Sequence, residues 1–95
     1  MLSQKEIDII ITTLKPYNPK RIGIFGSVAR NEEKTSSDID ILYSFNSPIS
    51  LFIKFRIIEE LKKKLNKKVD FVSEKAVHPE LKKYVYNDLK LIYES

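Results

Sequence analysis

The sequence predicts a single α/β domain over residues 1–95, with a small mixed three-stranded sheet flanked by helices that pack mainly on one face. Three observations lead there. Segments of helical and strand periodicity alternate from end to end, no repeat, linker or low-complexity tract interrupts them, and 95 residues with a mass of 11.1 kDa suffice for one domain only.

The first helix is expected over about residues 3–15. Ser3 followed by Glu6 has the form of a capping box, Ile7, Ile10, Ile11 and Leu14 follow at helical spacing, and Pro16 and Pro19 stop the run. Arg21 to Phe25 is a short apolar run that ends at Gly26, as a buried strand would. Ser27 to Asn31 has room for only a turn or so of helix, and the stretch to Ser37 is polar. Asp38 to Tyr43 then alternates charged and apolar residues with a period of two, which predicts the second strand. Ser47 with Pro48 predicts the start of the longest helix, with Leu51, Phe55, Ile58, Leu61 and Leu65 as its apolar face and Asn66 as its stop. Lys68 to Ser73 alternates again as the third strand, and Pro79 opens a last helix with Leu81, Val85, Leu89 and Ile92 on one side. The long helix between strands two and three fits a right-handed crossover between parallel strands. The brief connection between strands one and two fits only an antiparallel pair, so strand two lies in the middle.

Apolar residues make up 42% of the chain and charged residues 32%, a balance that folds and stays solvated. The net charge of +4 suits a nucleotide, nucleic acid or an acidic partner without choosing among them. With no cysteine, disulfides, thiolate metal sites and a cysteine nucleophile are excluded, and a reducing cytoplasm is the simplest setting. Asp8 interrupts the apolar stretch of the N-terminus, which reads as neither a signal peptide nor a membrane span.

The chemistry concentrates in one pattern: Gly26-Ser27, ten residues from Val28 to Ser37, then Asp38-Ile39-Asp40. On a strand, positions 38 and 40 share a face while Ile39 and Ile41 turn to the core. Two carboxylates side by side repel each other unless a cation lies between them, and all-oxygen ligands suit Mg²⁺, which binds through one or two carboxylates plus substrate phosphates. Gly26 removes a Cβ where backbone must approach phosphate, and Ser27 offers a hydroxyl and an N–H at the start of a short helix.

This pattern resembles that of the minimal nucleotidyltransferases of the DNA polymerase beta superfamily, and the likeness covers essentially the whole chain. It departs from many members at Asn31, where they carry glycine. The resemblance implies a palm-like nucleotidyltransferase fold and maps a third carboxylate to Asp70 in the third strand. It further implies that Asp38, Asp40 and Asp70 form the catalytic and metal-holding set, with two Mg²⁺ ions held chiefly by the first two and the attacking hydroxyl activated by the third. Gly26, Ser27 and, one turn on, Arg30 would bind the nucleotide; a salt bridge from Arg30 to Glu32 or Glu33 is the competing reading. Similar small members act as antitoxins by transferring AMP from ATP to a tyrosine of a helical HEPN-type toxin, and the resemblance implies the same here.

A separate partner is expected on other grounds too. A chain of this size buries only about 60–65% of its unfolded surface, so a sizeable substrate pocket needs outside help. The sequence also ends about 25 residues after Asp70, which leaves no room for a helical substrate domain. Phe52, Ile53 and Ile57 lie around the side of the long helix from Phe55 and Ile58, and Tyr84, Tyr86 and Tyr93 cannot all join the last helix's apolar stripe, so surplus surface is expected at an interface. Two alternatives belong to other classes: a binding module that masks a helical partner without chemistry, and a nucleic-acid binder using Lys62, Lys63, Lys64, Lys67 and Lys68. That lysine run has no interleaved aromatics and reads better as a solvated helix end. His78, the one histidine, reads as a capping or surface residue ahead of Pro79.

Overall fold

The computed structural model describes residues 2–29 and 38–95, with Ser27 and Val28 described in their backbone alone. The elements are α1 (Gln4–Leu14), β1 (Pro19–Phe25), α2 (Gly26–Ala29), β2 (Ile39–Phe45), α3 (Leu51–Leu65), β3 (Val69–Ser73), α4 (Pro79–Asp88) and β4 (Lys90–Glu94). The sheet order is β3-β2-β1-β4, with β2 parallel to β3 and antiparallel to β1. The three expected strands, their order and their directions are as read from the sequence.

The fourth strand is a correction. Leu89 and Ile92 were expected on the last helix, but α4 stops at Asp88, Leu89 is extended (φ −63°, ψ 130°), and Lys90–Glu94 pairs antiparallel with β1. The spacing of Leu81, Val85, Leu89 and Ile92 suits a helix locally. A non-local partner, the otherwise open edge of β1, prevails over it.

At the other end of the chain local signals suffice. Ser3 caps α1: its hydroxyl accepts from the Glu6 N–H at 3.2 Å, and Glu6 Oε1 accepts from the Ser3 N–H at 3.1 Å. Burial alone would raise the Glu6 carboxyl, but the Ser3 N–H and the Lys67 ammonium, 3.1 Å away, hold it below the ordinary value and pin α1 to the turn after α3.

Ile22, Ile24, Ile39, Ile41, Tyr43 and Phe71 line one sheet face, packed with Ile10 and Leu14 of α1 and with Ile57, Leu61 and Leu65 of α3. Tyr43 and Phe71 stack at 4.0 Å between ring centres. α3 begins at Ser50, not at Ser47-Pro48; the Ser50 hydroxyl accepts from the Ile53 N–H at 3.1 Å, and Asn66 ends the helix in the left-handed region at φ 53°. Its core stripe is also rotated from the expected one. Ile57 is fully buried, whereas Leu51, Phe52 and Phe55 are 66%, 71% and 57% exposed. Ile57 therefore belongs to the core and to no interface. Thermal unfolding separates the two roles: Ile57→Ala costs about 2–5 kcal/mol by opening a cavity, while Phe52→Ala shifts stability by less than about 0.5 kcal/mol.

The opposite face is not bare either. A Cβ on Gly23 would stand 2.5 Å from Leu89 Cδ1, so the end of α4 seats directly on β1 there. α4 packs on β1 and α2, and Tyr86 adds a hydrogen bond to Glu74, which pairs with Arg21. Burial first, then the Glu74 carboxylate, raises the Tyr86 hydroxyl above its ordinary value. Helices thus lie on both faces, α1 and α3 on one and α4 on the other. Among the described residues no helix is long and apolar enough to cross a membrane.

Candidate active site

The connections decide which residues meet. Because β1 and β2 are antiparallel, the end of β1 lies beside the start of β2, with Phe25 paired to Asp40. Because β2 and β3 are parallel, the start of β3 lies there too, with Asp40 paired to Asp70. Residues directly opposite on neighbouring strands share a face. Phe25, Asp40 and Asp70 therefore stand in a row on the face away from the α1–α3 core, at one end of the sheet.

Asp40 is half-buried and Asp70 exposed. Asp38, also exposed, immediately precedes β2, and the Ile39 N–H donates to the Lys68 carbonyl at 2.9 Å, so pairing with the segment that enters β3 begins at that level. Ile39 and Ile41 are fully buried, as the period-two reading required. The alternation thus does two jobs: its apolar members anchor the strand, and its acidic members are held at the rim.

Gly26 closes the row. It follows β1 as the first residue of α2, at φ +72°, where residues with a side chain are strained. A Cβ there would stand 2.1 Å from Asp40 Oδ2 and 3.1 Å from its Cγ. The glycine is therefore required twice, by its backbone angle and by the carboxylate lying against its Cα. The sequence pattern joins Gly26 and Asp40 only by spacing; the structure joins them by contact.

Gly26, Asp38, Asp40 and Asp70 thus come to one end of the sheet. The Ser27 side chain, Arg30, Asn31, Glu32 and Glu33 lie outside what is described. Phe25 joins the site as the half-buried apolar neighbour of Asp40; strand parity counted back from Gly26 could have found it.

Among the described residues no three His, Cys, Asp or Glu side chains are grouped closely enough to hold a metal by themselves. Two register-paired carboxylates, one pressed against a Cβ-free backbone, are nevertheless a donor set of hard oxygens. Such a set fits Mg²⁺, which keeps part of its shell for water and substrate phosphate. A cavity of about 340 Å³ lined by Tyr43, Phe45, Ile49, Ser73 and Lys75 opens at the other end of β2 and plays no part in this site.

The remaining sequence candidates resolve differently. Lys62, Lys64 and Lys67 pair with Glu59 (3.5 Å), Glu60 (2.9 Å) and Glu6 (3.1 Å), which neutralises much of the basic run at the end of α3. His78 Nδ1 accepts from the Glu80 N–H at 3.3 Å and caps α4.

A family model described as Polymerase beta, Nucleotidyltransferase matches residues 7–95. A chain of Methanocaldococcus jannaschii that carries a provisional protein adenylyltransferase name is 44% identical over 79 residues, 83% of this chain and 85% of its own length. The protein adenylyltransferase MntA of Thermococcus cleftensis is 33% identical over 94 residues, 94% of this chain and 95% of its own. In fold, the chain resembles one in the solved complex of tri-AMPylated Shewanella oneidensis HEPN toxin with MNT antitoxin. There the TM-score is 0.79 at 21% identity, with 99% of this chain and 74% of that one covered. The residues matched span the sheet, its carboxylates and the glycine turn alike, and the chain belongs to the polymerase beta nucleotidyltransferase family.

Proposed function

We propose that this protein transfers AMP from ATP to a tyrosine hydroxyl of a HEPN-type toxin in the cytoplasm and so acts as its antitoxin. The observation that carries the reading is the row of Gly26, Asp40 and Asp70, with the Asp40 carboxylate lying where a Cβ on Gly26 would collide with it. The adenylyltransferase names of the relatives support AMP as the group moved, and the AMPylated HEPN toxin in the Shewanella complex supports the acceptor.

Asp38 and Asp40, with Asp70 beside them, are the residues that would hold Mg²⁺. The chemistry such an ion would supply there is charge neutralisation of the triphosphate and of the attacking and leaving groups. Gly26, and with it Ser27 and Arg30, would receive the phosphates, since the turn brings backbone close without a side chain between. Asp70, the most exposed member of the row that lies within a strand, would orient the acceptor and take its proton. The tyrosine oxygen then forms a bond to the α-phosphorus, the bond from that phosphorus to the α,β-bridging oxygen breaks, and pyrophosphate leaves.

Incubation with ATP, Mg²⁺ and the toxin, read by intact-mass spectrometry, tests this directly. The toxin should gain the mass of one or more AMP groups in a metal-dependent way, and peptide mapping should find them on tyrosine. A toxin that is bound and silenced with no added mass would leave masking alone as the function. Within the reaction, Asp70→Asn should slow transfer by about 10² to 10⁴, the usual loss for a general base, with triphosphate affinity nearly unchanged. Transfer at the wild-type rate would remove Asp70 from the catalytic set.

A further inference from the structure

Asp40 stands in the middle of the carboxylate row, and its surroundings on that sheet face are set by register. Asp70 is directly opposite on β3, Phe25 is directly opposite on β1, and Leu42, two residues along β2, follows on the same face. Side chains directly opposite on neighbouring strands have their Cβ atoms about 4.5–5.5 Å apart, and like charges in that position repel. The Asp40 carboxylate is thus discouraged from turning towards β3. Leu42, which is buried, closes the side towards the middle of the sheet. Phe25 closes the side towards β1, up to the point where the strand ends and Gly26 offers no Cβ. Asp40 Oδ2 lies in that gap, 2.1 Å from where a Cβ on Gly26 would stand.

Phe25 has no part in the main core that would otherwise account for it. Ile22 and Ile24, on the other face of the same strand, belong to the core cluster, whereas Phe25 is half-buried and outside it. The ring contacts among the described residues join Tyr17, Tyr43, Phe45 and Phe71 and leave Phe25 apart. A ring beside a carboxylate excludes water from one flank and fixes the volume that the carboxylate can occupy. A smaller side chain would leave room for the carboxylate to rotate and for water to enter. Ligand oxygens hold a metal well only when the packing around them fixes their direction beforehand.

Resting on the metal-holding role proposed above for Asp40, we infer that Phe25 is a positioning residue of the site. Its ring holds the Asp40 carboxylate in the gap over Gly26, beside the turn proposed to receive the phosphates, and so sets how tightly the site takes Mg²⁺. Phe25 acts through Asp40 and need touch neither the nucleotide nor the acceptor.

The test uses the full chain, with binding of a non-hydrolysable ATP analogue measured by calorimetry over a range of Mg²⁺ concentrations. Phe25→Ala should raise the Mg²⁺ concentration for half-maximal binding by about 10- to 100-fold, the usual loss when a group that orients a metal ligand is removed. Phe25→Leu and Phe25→Val, which keep part of the ring's volume, should fall between it and wild type in order of size, and they decide the question if the alanine variant does not fold. Phe45→Ala is the control. Phe45 is also a half-buried phenylalanine of this sheet, but it lies on the core face at the far end of β2. Its loss should lower the unfolding midpoint and leave the Mg²⁺ requirement within about twofold of wild type. Transfer rates to toxin give a second readout: in an Asp40→Asn background, Phe25→Ala should reduce the remaining transfer by no more than about twofold, because the group it positions is already gone. Wild-type Mg²⁺ dependence in all the Phe25 variants, an equal rise in Phe45→Ala, or a full further loss in the double variant overturns the inference and leaves the metal site standing. Wild-type protein that binds the analogue without regard to Mg²⁺, or not at all, overturns both.

Discussion

Asp40→Asn should lower nucleotidyl transfer on the order of 10³-fold while the protein stays folded. The change is nearly isosteric, Asp40 is only half-buried, and Ile39 and Ile41, which anchor its strand in the core, are untouched. What is lost is a negative oxygen at the centre of the row between Gly26 and Asp70. An amide cannot replace it as a ligand for a hard cation, and metal stabilisation of a phosphoryl transition state is worth several kcal/mol, with each tenfold in rate equal to about 1.36 kcal/mol. Stopped or quenched-flow transfer assays, with circular dichroism to verify the fold, would check it. A variant within tenfold of wild type would mean that Asp40 is not at the reaction centre.

Gly26→Ala should do comparable damage without removing any functional group. The new methyl would stand 2.1 Å from Asp40 Oδ2, so the carboxylate must swing away from its position, and the residue must also hold φ near +72°. An L-residue in the left-handed region costs about 1–2 kcal/mol, which should appear as a lowered unfolding midpoint. Activity should fall far more than stability does. Because both substitutions act on the same carboxylate, the double variant Gly26→Ala/Asp40→Asn should be little worse than either single one, whereas independent sites would multiply. A Gly26→Ala protein with full activity would show that the close contact has no part in the chemistry.

Much of the molecule was legible beforehand, for reasons that are local. The Ser3–Glu6 capping box and the Asn66 stop each depend on neighbours in sequence and appear as read, and the alternation read over Asp38 to Tyr43 holds through Ile41, after which Leu42 and Tyr43 are both buried. The site was legible as a spacing, Gly26-Ser27 to Asp38 and Asp40, with Asp70 added by resemblance. What the spacing could not give was the register that sets Asp40 beside Asp70, or the contact that makes Gly26 obligatory. One misreading is local, the Ser50 cap that starts α3 three residues after Ser47, and two are tertiary. β4 exists because β1 has an edge to pair, and the α3 stripe runs through Ile57 because the sheet and α1 sit on that side, although Phe55 is the larger apolar side chain.

Of the side chains expected as surplus apolar surface, Phe52, Tyr84 and Tyr86 are exposed among the described residues, whereas Ile57 is buried in the core.

On the function proposed, the carboxylate row at the start of β2 and β3 should bind a metal together with a triphosphate. Titration calorimetry with a non-hydrolysable ATP analogue tests it most directly, on wild-type protein with and without Mg²⁺ and on Asp38→Ala and Asp40→Ala. Binding should require Mg²⁺ and be lost in each variant while the unfolding transition is retained. Equal affinity in all of these, or binding indifferent to Mg²⁺, would contradict it.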